Sequence, residues 1–104
     1  MLKRGDVPEP MVPGEAVMVA AMGGEVKVTA LPLPAYLEIV TSEYPGRFDR
    51  AIAMLAASVM DADGKQFWTA AQWAAFSAAH RTDAMLLIEA VNRINGIGEQ
   101  PKND

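Results

Sequence analysis

The sequence contains no cysteine, which excludes both disulfides and a thiolate metal site. It has a single histidine, His80, with no serine or carboxylate partner at the spacing a general base requires. Clustered basic residues are also missing. Nine Lys and Arg lie scattered against thirteen Asp and Glu, for a net charge of −4, whereas a nucleic-acid surface needs grouped cations to displace phosphate counterions. Long apolar runs are absent too. The longest uncharged stretch beyond the proline-rich start, Gln66 to His80, contains Gln66, Thr69, Gln72 and Ser77 and falls short of the ~18 apolar residues of a membrane span. Near the N-terminus, Lys3 and Arg4 precede an apolar segment, but Asp6, Glu9 and Glu15 interrupt it and Pro8, Pro10 and Pro13 break it. That is not the pattern of a secretory leader, and the reading is a protein of the cytoplasm.

What remains is a chain of 104 residues with 51% apolar side chains, enough for one modest core. Residues 1–14 combine three of the seven prolines, two glycines and four charges with few large side chains, and read as a flexible arm. Residues 15–96 form the single domain, and the polar residues 97–104 form a flexible tail.

The domain reads as mainly α (α+β): a small bundle of about four helices with an N-terminal β-hairpin over residues 16–31. Gly23-Gly24 suits a two-residue turn, and pairing outward from it opposes Ala21 to Val26, Val19 to Val28 and Val17 to Ala30, all apolar and on one face. A short helix over 34–43 follows, with Pro34 in its first turn and a stripe of Tyr36, Leu37, Val40 and Tyr44. No proline occurs from Arg47 to Gly96, and thirteen of the eighteen alanines fall there, which favours helix. A helix over 47–60 places Phe48, Ile52, Leu55 and Val59 on one face. It carries no charge from Ala51 to Met60, which marks it as the central, buried helix. Thr69 and Gln72 make a capping box for a helix over 70–79, with Trp73 and Phe76 on one face. The last helix, 83–94, has Ala84, Leu87, Ile88, Val91 and Ile94 as its stripe and ends at Asn95-Gly96.

The acidic cluster Asp61-Ala62-Asp63-Gly64 invites a calcium-loop reading, which fails in either frame. With Gly64 as the loop glycine, the first and twelfth ligand positions are Val59 and Ala70. With Asp61 first, the fifth and twelfth are Lys65 and Gln72. A plain turn is the better reading, with His80 as a helix cap. Gly96-Ile97-Gly98 lacks the helix start and lysine of a phosphate loop, and Ser42, Ser58 and Ser77 lack a nucleophile-elbow context. No catalytic residue, metal or cofactor is expected. The surplus is apolar: seven methionines, two tryptophans and three phenylalanines. Met18, Met22, Met54, Met60, Trp68, Met85 and Leu86 are the candidate protein-binding residues, methionine being adaptable at such surfaces. The competing reading is that they fill gaps in a tight helical core.

Together these features resemble a known family. A short N-terminal hairpin (Val17 to Leu31) leads to a helix, then to an alanine-rich helix ending in Ser58-Val59-Met60-Asp61-Ala62-Asp63-Gly64. Then come Lys65-Gln66-Phe67-Trp68-Thr69, a Thr-capped helix, and a closing Leu86-Leu87-Ile88-Glu89-Ala90-Val91-Asn92-Arg93-Ile94-Asn95-Gly96. This layout, over Ala16 to Gly96, resembles the tail assembly chaperones of long-tailed bacteriophages and prophages. The resemblance implies a non-enzymatic protein of the host bacterial cytoplasm that binds the tape measure protein and tail tube subunits. It also implies self-association, as a homo-oligomer, and absence from the mature virion, with no nucleic-acid or membrane partner. Members often have a longer, frameshifted form, and Pro101-Lys102-Asn103 is compatible with the slippery codons CCA AAA AAC. The alternative reading is a small structural head–tail connector or another virion protein.

Overall fold

The computed structural model describes residues 13–96. The expected arm over residues 1–12, the tail 97–104 and the Pro101–Asn103 run lie outside them. The fold is α+β, with four helices and a three-stranded antiparallel sheet that opens on a hairpin.

β1 (Gly14–Val19) and β2 (Gly24–Thr29) form that hairpin. Its inward face carries the β-branched residues Val17, Val19, Val26 and Val28, of which the last three are buried. The register differs from the expected one. Val19 lies opposite Gly24 and Val17 opposite Val26, so the strands are slid by four residues. The turn is a single 3-10 turn, Ala20–Met22, closed by Gly23. Of the Gly23-Gly24 pair only Gly23 takes the left-handed conformation, at φ 73°, and its N–H donates to the carbonyls of Val19 and Ala20, both at 3.1 Å. Gly24 is the first residue of β2. Because the slide is an even number of residues, each side chain keeps its face and the inward valines are unchanged.

α1 (Leu33–Thr41) has Pro34 in its first turn, where no N–H partner is lost. It leans on the core through Tyr36 and Ile39. Leu37, expected on the inward stripe, faces solvent. Tyr44 lies beyond the helix end and stacks under the Arg50 guanidinium, 5.7 Å from its ring centre.

α2 (Arg47–Ser58) is the central helix and buries Ile52, Met54, Leu55, Ala56 and Ser58. Two expectations fail here. Phe48 is 52% exposed, because it stands in the first turn, where Arg47, Asp49 and Arg50 are exposed as well. The helix also stops at Ser58, and Val59–Met60 forms β3, paired antiparallel to β2 through Val28↔Val59 and Lys27↔Met60. Val59 is β-branched and fits the pleated surface. Its burial is unchanged, since it reaches the core from the sheet.

The acidic turn follows. The Asp61 carboxylate accepts from the N–H groups of Asp63 (2.8 Å) and Lys65 (3.0 Å). Gly64, at φ 78°, donates its N–H to the Asp61 carbonyl. This is an Asx-type turn whose acid is satisfied by backbone. Met60 bridges to Gln66, and the Phe67 N–H donates to the Val59 carbonyl, so the turn delivers Phe67 and Trp68 beside the sheet.

α3 (Ala70–Ala79) begins in the expected capping box. Gln72 N–H donates to Thr69 Oγ1 at 3.3 Å, and Thr69 N–H donates to Gln72 Oε1 at 2.9 Å. Thr69→Ala is expected to cost about 1 kcal/mol, lowering the thermal midpoint by about 4–8 °C in a domain of this size. A circular-dichroism melt checks it. α4 (Arg81–Ile94) follows after one residue and buries Ala84, Leu87, Ala90 and Val91. It begins two residues before the expected start because His80 closes α3 and opens α4 at once. α4 runs back along β1. Asp83 at its start accepts from Ala21 N–H at 2.9 Å, and Arg93 near its end pairs with Glu15.

Candidate functional site

The capped start of α3 fixes an aromatic cluster. Trp73, fully buried, sits 4.7 Å from Trp68 and 5.6 Å from Phe76, both in edge-on geometries. Trp68 also contacts Phe67 at 5.2 Å and Phe76 at 5.4 Å, and Phe76 meets the His80 ring at 5.1 Å. Edge-to-face pairs of this kind add to the energy of burial alone. Phe67, Trp68 and Phe76 are only half-buried, and His80 is exposed.

These four rings form one wall of an open groove of about 450 Å³, and Ala21 and Met22 of the hairpin turn form the other. The hydrogen bond from Ala21 N–H to Asp83 holds that turn in place. The lining contains no serine, carboxylate or lysine, and His80 is its one titratable side chain. Such a groove can stack on flat or ring-shaped apolar groups. Nucleophilic or general acid–base chemistry would need partners that the lining does not supply.

The candidate protein-binding residues do not share one surface. Met22 and Trp68 meet in the groove. Met18, 62% exposed, stands on the outer face of the hairpin opposite Glu25, while Met85 and Leu86 stand about half exposed on α4. Met60 is half-buried at the sheet edge. Met54 is the exception. At 3% exposure it belongs to the core, because it lies on the helix side that α1 and α4 cover, under a hollow of about 420 Å³ edged by Arg47 and Arg50. The sequence pattern missed Leu33 (66% exposed), Leu37 and Phe48 as solvent-facing apolar residues. It also missed Phe76 and His80 as groove walls, although their i, i+4 spacing places them on one helix face.

Asp61 and Asp63 lie in the turn, and among the described residues no three His, Cys, Asp or Glu side chains converge as a metal set. No described helix is long and apolar enough to cross a membrane. No protein-family model, curated protein or solved structure matches the chain.

Proposed function

We propose that this protein is a phage tail assembly chaperone, a non-enzymatic homo-oligomer of the host bacterial cytoplasm. It would bind the tape measure protein and tail tube subunits during tail morphogenesis and leave before the virion is complete. One observation carries the reading: six large apolar side chains, on α1, α2, α4 and the outer face of the hairpin, stand about half or more in solvent. Leu33 and Leu37 are one turn apart on α1, Met85 and Leu86 are adjacent on α4, and Phe48 and Met18 add to them. Isolated exposed apolar residues are ordinary, but grouped ones favour a partner. An amphipathic client helix laid across such a face buries both apolar surfaces at once. The flexible thioether of methionine accommodates clients of varied shape.

The test is co-expression with the tape measure protein encoded beside it. That protein is expected to stay soluble and to copurify with the chain. Met85→Asp together with Leu86→Asp is expected to weaken capture without unfolding the domain, since both side chains point outward. An insoluble tape measure protein with nothing copurifying would overturn the proposal. So would finding the chain retained in purified particles, as a connector would be.

A further inference from the structure

The chain has one Asn-Gly pair, Asn95-Gly96. An asparagine side-chain amide is open to attack by the backbone nitrogen of the next residue, and glycine, with no Cβ, hinders that attack least. Asn92 and Asn103 are followed instead by Arg93 and Asp104, whose side chains crowd the nitrogen.

The folded domain holds the reacting groups of this pair apart. Asn95 has ψ 2°, so the Gly96 nitrogen is eclipsed with the nitrogen of Asn95 and turned away from its Cβ. The attacking N–H is occupied as well, donating to the Arg93 carbonyl at 3.2 Å. The amide under attack is pinned at both ends. Its Oδ1 accepts from Leu31 N–H, and its Nδ2 donates to the Val91 carbonyl and to Ser58 Oγ. Yet Asn95 is only half-buried, and Gly96 is exposed just past the end of α4. Helix ends fray, and unwinding this last turn releases ψ, the Gly96 N–H and the side-chain amide together.

We infer that Asn95 is a modification site, where a one-way deamidation is gated by opening of the corner that its side chain closes. In the opened form the Gly96 nitrogen loses its proton and bonds to Asn95 Cγ. The Cγ–Nδ2 bond breaks, and Nδ2 takes up a proton and leaves as ammonia. Solvent water then adds to the five-membered imide. Ring opening at Cγ restores the ordinary backbone with an aspartyl side chain. Opening at the main-chain carbonyl leaves the chain running through Cγ, as an isoaspartyl link. Water enters, ammonia leaves, and nothing is oxidised or reduced.

Neither product closes the corner as before. A carboxylate in place of the amide has no proton for the Val91 carbonyl and stands at the negative end of the α4 dipole. The isoaspartyl link also adds a carbon to the main chain where Gly96 turns at φ 71°. Each event therefore eases the next opening of that molecule, and refolding does not reverse it. The domain keeps a record of the time its corner has spent open, whatever partner it captures.

The test incubates the full chain at mildly alkaline pH, folded and in parallel unfolded in guanidinium, with peptide mapping by mass spectrometry. Asn95 is expected to yield aspartyl and isoaspartyl products at least about tenfold more slowly in the folded chain, because modification of a closed site tracks the population of its open form. Asn92 and Asn103 should remain amides over the same period. Ser58→Ala removes one hydrogen bond from Asn95 and should raise the folded-state rate about threefold. Thr69→Ala, whose side-chain hydrogen bond lies at the start of α3, is the control and should raise it less for a comparable loss of melting temperature. Circular dichroism follows both variants, and the comparison of folded with unfolded parent needs neither. The modified chain, separated by its extra negative charge, should melt below the parent. Equal rates in the folded and unfolded chain would overturn the inference. So would an Asn95 left intact in the unfolded chain, equal acceleration by the two variants, or a modified chain that melts with the parent.

Discussion

Trp73→Ala is expected to destabilise the domain by about 3–5 kcal/mol, the usual cost of removing a fully buried large aromatic side chain. The indole is completely enclosed, with Trp68, Phe76 and Phe67 around it and α2 and α4 packed on the same core. Its removal deletes three ring contacts together and leaves a cavity that the rigid α3 start, pinned by its capping box, cannot close. A small domain has only about 5–15 kcal/mol in total, so the variant should melt more than ~12 °C below the parent. Trp73→Phe provides the contrast. The indole Nε1–H is buried with no acceptor among the described residues, so part of the ring's favourable burial is offset by an unmet donor. Replacing it with phenyl removes the donor and keeps most of the ring, and should cost less than about 2 kcal/mol. Urea melts followed by circular dichroism check both variants. An alanine variant within a few degrees of the parent would mean that the cluster does not hold α3 to the core. Trp68 fluorescence reports whether the groove opens before the domain unfolds.

The parts of the fold legible in the sequence are those fixed by neighbours in the chain. Thr69 and Gln72 are three residues apart and cap α3 in the expected way. Gly96, with φ 71°, ends α4 where an Asn-Gly pair would. The inward valines of the hairpin were also legible, since alternation fixes a face whatever the register. The register itself was not. Gly23 and Gly24 are chemically the same, and only the hydrogen bonds from Gly23 N–H to Val19 and Ala20 decide which closes the turn. Val59 and Met60 continue a helical pattern perfectly well. They become strand because Val28, thirty-one residues earlier, offers an open edge, a long-range choice that tertiary contact makes over local preference. The site follows the same logic. Phe76 and His80 could be placed on one face of α3, but the groove exists only because Met22 comes to meet them from the hairpin turn. Met54 lies off the cleanest stripe and so reads as surface, yet beyond its exposed first turn α2 is packed by α1, α3 and α4 and leaves no side chain from Ala51 to Ser58 exposed.

That central packing is closed at one corner by Asn95, and Asn95→Ala is expected to cost about 2 kcal/mol. The side chain joins three segments: Oδ1 accepts from Leu31 N–H at 2.8 Å, and Nδ2 donates to the Val91 carbonyl at 2.8 Å and to Ser58 Oγ at 3.4 Å. The exit of β2, the end of α2 and the last turn of α4 therefore meet on one amide. Truncation strands the partly buried Leu31 N–H, and an unmet donor there costs about 1–3 kcal/mol. Asn95→Asp separates the two halves of this contact. The carboxylate still accepts from Leu31 but faces the Val91 carbonyl with no proton to give, at the negative end of the α4 dipole. At neutral pH it should be about as harmful as alanine. As pH falls and the new carboxyl takes up a proton, its O–H restores a donor and the deficit should narrow, whereas the alanine deficit should not change in that way. Urea midpoints for the parent and both variants, at neutral and acid pH, give the comparison. Parallel pH trends for the two variants would show that the amide donor contributes nothing and that the Leu31 contact alone holds the corner.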